Sequence, residues 1–182
     1  MKELSLNILD VAKNSVSAGA ENIKISLLTD ENGWLTLTIE DDGCGMSDQM
    51  VKTVTDPFCT TRTTRKVGMG LPLLKLSAEQ TGGALTLESS IDAQTHGTKL
   101  AATFNTRSID FTPIGDIVST VCILIAGSPE IDFIFSDVSE KGEVILRTSE
   151  IREALGGDIS LAEPEVQAWI KEYLKEQYDA VK

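Results

Sequence analysis

The stretch Ile39-Glu40-Asp41-Asp42-Gly43-Cys44-Gly45-Met46 is the part of the chain from which the fold can be read. An alternating run, Trp34–Glu40, predicts a strand that delivers two carboxylates into a turn holding two glycines. Without a Cβ, glycine lets the backbone come close to a flat ligand. A carboxylate at a strand end can accept a hydrogen bond from an exocyclic amine. Read alone, the segment equally fits a calcium-type loop or an ordinary acidic turn.

Working outward, a helix is predicted over 3–18, with Leu4, Ile8, Val11, Ala12 and Ser15 along one side and Gly19 as its breaker. Asn7, Asp10 and Asn14 share another face of it. An asparagine amide oxygen suits a hard cation such as Mg²⁺, and a carboxylate one turn earlier can orient a water. A solvated polar face is the plain alternative. Downstream, residues 56–70 form a polar loop, DPFCTTRTTRKVGMG, in which Arg62, Arg65 and Lys66 supply three of the chain's 16 basic residues. Threonine hydroxyls and a glycine-opened helix in the same loop make an anion site. Gly97-Thr98 opens a later strand and by itself says nothing.

In this order and spacing the segments resemble the GHKL superfamily of gyrase, heat-shock chaperone, histidine kinase and mismatch-repair ATPases, which share the Bergerat ATP-binding fold. Asp10-Val11-Ala12-Lys13-Asn14-Ser15 looks like the N box, 41–45 like the first glycine box, 68–71 like the second, and Gly97-Thr98 like the last. Asp56-Pro57-Phe58-Cys59-Thr60-Thr61-Arg62 resembles the phenylalanine-containing box of histidine kinases. The likeness spans about residues 3–106. It implies a nucleotide site made of Asn14, Asp41, Gly43, Gly45, Met46, Phe58, Thr60, Thr61, Arg62, Lys66, Gly68, Met69, Gly70, Leu71 and Thr98. In it Asn14 would ligate Mg²⁺ and Asp41 would bond the adenine amine of ATP, with Thr98 helping through water. Asp10 would stand where many hydrolysing members carry a glutamate base. The 62–66 segment would be a mobile lid.

The resemblance implies an α+β fold, a two-layer α/β sandwich whose mixed, mostly antiparallel sheet carries helices on one face. Residues 1–107 would be the ATP-binding domain. Residues 108–182 would form a small α-β-β-α-α subdomain that extends the sheet or packs beside it. Its first helix is expected to start at Thr112-Pro113. Its last is expected to begin near Pro164 and to place Val166, Trp169, Ile170, Tyr173 and Leu174 on one face. Histidine kinases carry a phosphoacceptor histidine upstream. Here the single histidine, His96, abuts the last box and is badly placed for that work. The expectation is therefore Mg²⁺-dependent ATP binding with slow hydrolysis or phosphoryl transfer to a partner protein. A non-catalytic nucleotide sensor and an anti-sigma-like serine kinase are the alternatives.

Composition excludes other classes. The 182 residues carry 41% hydrophobic and 24% charged side chains and a net charge of −12. Such a chain is repelled by nucleic acid and anionic lipid. No apolar run is long enough to span a bilayer and no secretory pattern opens the chain, which reads as cytoplasmic. The three cysteines, Cys44, Cys59 and Cys122, have no metal or redox spacing. A homodimer stays open.

Overall fold

The computed structural model describes residues 3–54 and 70–181. Two stretches with apolar residues at every second position, β1 (Asn22–Thr29) and β2 (Trp34–Asp41), form an antiparallel hairpin. Ile23, Ile25 and Leu27 of β1 and Leu35, Leu37 and Ile39 of β2 all turn to the same side and are buried. Period-two alternation is what buries one face of a sheet and leaves the other in water. The helix α1 (Leu4–Ser17) lies on the buried side. There follow α2 (Asp48–Val54), α3 (Gly70–Gln80), β3 (Leu85–Ser90) and β4 (Gly97–Asn105).

The remainder supplies α4 (Ile117–Gly127), β5 (Asp132–Ser139), β6 (Gly142–Arg147), α5 (Thr148–Ala154) and α6 (Pro164–Ala180). The six-stranded sheet has the order β3-β4-β2-β1-β5-β6. Among the described residues only β1 and β5 pair in parallel. Residues beyond 108 thus extend the sheet, the first of the two arrangements expected. Phe104 and Phe135, on strands from the two parts of the chain, are both fully buried in one core with Leu4 and Ile8 of α1. The uncovered face is polar where Glu88, Lys99, Glu40 and Lys24 lie side by side across four strands, and Lys99 pairs with Glu40 at 3.1 Å. Among the described residues no helix is long and apolar enough to cross a membrane.

Two expectations are corrected. α4 begins at Ile117 rather than at Thr112-Pro113, because Asp116 caps it by accepting from the Ser119 N–H at 2.9 Å. The carbonyls of Pro113 and Ile114 are used elsewhere. They accept from the N–H groups of Leu4 and Ser5 at 2.9 and 2.8 Å, satisfying two donors of the first turn of α1, whose N-cap residue Glu3 makes no side-chain capping bond. On α6, Val166, Ile170 and Leu174 are buried, but Trp169 and Tyr173 are exposed and stack on each other at 5.1 Å between ring centroids. One turn beyond Tyr173, Gln177 reaches the edge of β6. There the Gln177 amide accepts from the Ile145 N–H and donates to the Ile145 carbonyl, both at 2.9 Å, as a neighbouring strand would.

One core predicts one transition. Trp34 on β2 and Trp169 on α6 report from the two parts of the chain, and their fluorescence should be lost together with far-UV dichroism in denaturant. Phe104→Ala and Phe135→Ala should each cost about 3–5 kcal/mol, the price of emptying an aromatic core site. Two separated transitions would show that residues beyond 108 fold on their own.

Candidate functional site

At the carboxyl end of β2, the Asp41 side chain is fixed from two directions. Its Oδ2 accepts from the Ser15 hydroxyl of α1 at 2.5 Å, and its Oδ1 accepts from the Gly43 N–H at 2.9 Å. Asp42 points the other way. It accepts from the backbone N–H groups of Glu21 and Asn22 and from the Asn22 amide at 2.7–2.9 Å, tying the turn to the start of β1. Burial alone would raise the Asp42 carboxyl, but these hydrogen bonds, led by the Asn22 side chain, outweigh it and hold it below the ordinary value of 3.8. The turn is closed from the far side by His96, whose Nδ1 lies 2.9 Å from the Gly43 carbonyl. That oxygen only accepts, so Nδ1 carries the hydrogen.

Gly45 has a φ of +69°, and a Cβ there would come within 1.8 Å of the Ser90 carbonyl oxygen. Only glycine allows this turn to pass so close to β3. Above it opens a cavity of about 290 Å³, near the lower end of small-molecule sites. Its walls are largely apolar, from Val11, Ile39, Met50, Val54, Leu87 and Leu100, with Asn14, Ser15, Asp41 and Thr98 as polar points.

Of the residues singled out in the sequence, Asn14, Asp41, Gly45, Met46, Leu71 and Thr98 line this cavity together. Gly43 shapes the turn beneath it without lining it. Asp10 is exposed and lies off the wall, beside the first described residue of α3: a Cβ on Gly70 would meet its Oδ2 at 2.8 Å. Phe58, Thr60, Thr61, Arg62, Lys66, Gly68 and Met69 lie outside the described residues. Asn7 is not on a solvated stripe. It is 1% exposed, and its Oδ1 has no hydrogen-bond partner among the described residues. Sequence reasoning missed Ser15 as the anchor of Asp41, because serine on an apolar helix side reads as small filler. It also missed Ser89, whose hydroxyl touches Met46, Gly97 and Thr98. Ser89 lies opposite Thr98 in the β3–β4 pairing, a neighbour that no local spacing reveals.

The model of the histidine kinase-, DNA gyrase B- and HSP90-like ATPases matches residues 1–108. The chain belongs to this family. ATP binding and ATPase-type chemistry are what membership of this ATPase family supports, and the cavity lies within the matched residues. Among solved structures, the crystal structure of the N-terminal domain of a DNA repair protein shares 12% identity over 81% of this chain, with a TM-score of 0.56. The chain spans about half the length of that domain, 53%. The Aquifex aeolicus MutL ATPase domain complexed with ADP shares 14% identity over 86% of this chain and 70% of its own, with a TM-score of 0.53. The mycobacterial sensor histidine kinase MprB gives 26% identity over 54% of this chain and 68% of its own at a TM-score of 0.42. The first two bear on the fold alone. No curated protein sequence matches the chain significantly.

The hydrogen bonds around Asp42 predict a pH dependence. Its folded value is depressed, so its contribution to stability is complete above 3.8 and is lost as pH falls through the lowered value. Asp42→Ala should destabilise the fold by about 1 kcal/mol at pH 7. Denaturant titrations repeated at falling pH should show the gap to wild type closing only below 3.8.

Proposed function

We propose that the cavity binds ATP as its magnesium complex, with adenine against Asp41 and the phosphates running past Asn14 toward Asp10 and α3. The observation that carries this reading is the state of Asp41. Both of its oxygens already accept hydrogen bonds from the protein, so at the rim of an apolar slot it offers only further acceptor sites. At the 6-position a 6-amino purine brings a donor to that point, whereas a 6-oxo purine brings an oxygen there and carries its donor on N1 instead. The apolar walls suit the faces of a base.

Magnesium fits the residues present. Among the described residues no cluster of three His, Cys, Asp or Glu could hold a metal, so these residues offer no cage. Asn14 lines the cavity and its side chain has no hydrogen bond to another described residue, which leaves its amide oxygen for a hard cation. Mg²⁺ commonly takes few protein ligands and completes its shell with phosphate oxygens and water. When bound, the ion would neutralise charge on the phosphates. Asp10 lies one helical turn before Asn14 and beside Gly70. Its carboxylate would orient a water and take its proton during slow hydrolysis. Alternatively, the terminal phosphoryl group would pass to an acceptor on a partner protein. The amides of 68–71 and the cations of 62–66 belong to this reading on sequence grounds, as phosphate ligands and lid.

One observation favours a second reading, a nucleotide sensor without chemistry. Asp10 is exposed and off the cavity wall, and it is shorter by one methylene than glutamate.

Calorimetry should show ATP binding tighter with Mg²⁺ than with EDTA, with the difference erased in Asn14→Ala. Asp41→Asn should weaken binding about 10- to 150-fold, the worth of a hydrogen bond to a charged group. Unchanged affinity in a folded Asp41→Asn protein would sink the adenine assignment.

Turnover separates the two readings. If Asp10 orients the attacking water, Asp10→Asn should lower the rate of phosphate release by about 10²-fold with little change in ATP affinity. A wild-type protein that binds ATP and releases no phosphate, and labels no protein in cell extract from γ-labelled ATP, would leave the sensor.

A further inference from the structure

Ser89 of β3 stands behind Thr98, outside the wall of the nucleotide cavity. Its hydroxyl oxygen has three neighbours, each at 2.8 Å: the Met46 N–H, the Gly97 carbonyl and the Thr98 hydroxyl. A backbone N–H can only donate and a carbonyl can only accept. A serine hydroxyl has one hydrogen and two lone pairs. A single arrangement satisfies all three contacts. Ser89 accepts from Met46, donates to Gly97, and accepts from Thr98. The hydrogen of Thr98 is thereby committed toward β3, and its oxygen has only lone pairs left for the cavity it lines.

We infer that Ser89 is a positioning residue for base specificity: it makes Thr98 an obligate acceptor beside Asp41, so that where the 6-position of the base meets this wall a 6-amino group finds two acceptors and a 6-oxo group finds no donor. The inference rests on the reading of the cavity as an adenine site. Asp41 supplies the first acceptor and is locked by Ser15 and Gly43. A threonine hydroxyl, by contrast, rotates freely and could serve either base unless something fixes its hydrogen. Ser89 is the fixing group. It also links the specificity wall to the glycine turn, because the Met46 N–H it accepts from follows Gly45 directly.

The test compares ATP with inosine triphosphate, which differs in carrying a 6-oxo group and a hydrogen on N1. In Ser89→Ala, Thr98 is free to donate into the cavity. The ratio of the two dissociation constants, measured by calorimetry, should then fall about 2- to 12-fold toward equality, the factor one hydrogen bond is worth. Ser89→Thr keeps the hydroxyl and should keep the wild-type ratio. In a Thr98→Val background, Ser89→Ala should leave the ratio unchanged, since there is no hydroxyl left to turn. A general loosening of the turn would instead weaken both nucleotides equally and act in either background. An unchanged ratio in a folded Ser89→Ala protein, or an equal effect in the Thr98→Val background, overturns the inference. A wild-type protein that binds neither nucleotide overturns instead the adenine reading beneath it.

Discussion

A carboxylate held between a helix and a glycine turn organises this protein. Asp41 ends β2, and Ser15 of α1 and the Gly43 N–H both donate to it. The contact sets the distance of α1 from the sheet at the end where the cavity opens. It also commits the following residues to a tight turn, since Asp42 must swing back to the start of β1 to reach Asn22. Removing a charged acceptor that two buried or half-buried donors depend on costs more than the bond itself, because the donors are stranded. Adenine recognition, as proposed, uses the same carboxylate, so the group that builds the site is also the group that reads the ligand.

The close approach of the turn to β3 follows from that constraint. Gly45 passes the Ser90 carbonyl at a separation that excludes any side chain, and Ser89 then meets the Met46 N–H. The cavity is thus framed by α1 on one side and by β3 and β4 on the other, with hydrogen bonds fixing Ser15, Asp41 and Thr98 among its polar points. Its apolar walls come from the inward faces of β2, β3 and β4 together with α1 and α2.

The distal part of the chain supports the same sheet from the other side. β5 pairs with β1 in parallel, and α6 shields the outer edge of β6 through Gln177. Tyr178, one residue on, donates to Asp137 of β5 at 2.7 Å. Burial, the larger effect, pushes the Asp137 carboxyl up, against the lowering by that hydrogen bond. An exposed edge strand is a template for unwanted pairing. A glutamine amide, with one donor and one acceptor in the spacing of a peptide unit, closes it at a single position.

The sequence determined the first helix and the strand that ends at the acidic turn, and through its family resemblance the α+β class and most of the cavity's polar points. Alternation in 22–29 and 34–41 follows from a pleat whose period is fixed by backbone geometry. Likewise 3.6-residue spacing puts Asn14 and Ser15 of α1 where a helix must present them. Asp41 and Gly45 sit at a strand end and turn whose chemistry is local, whereas Thr98, silent on its own, was legible only through the family resemblance. Tertiary structure alone decided three things. It buried Asn7 while leaving Asp10 in solvent, because that depends on which elements pack against α1. It moved the start of α4 to Ile117, because the Pro113 and Ile114 carbonyls were taken by α1 more than 100 residues earlier in the chain. And it gave Ser15 and Ser89 their roles, because a hydroxyl's meaning lies in its partners, and theirs come from strands and turns that no local spacing brings together.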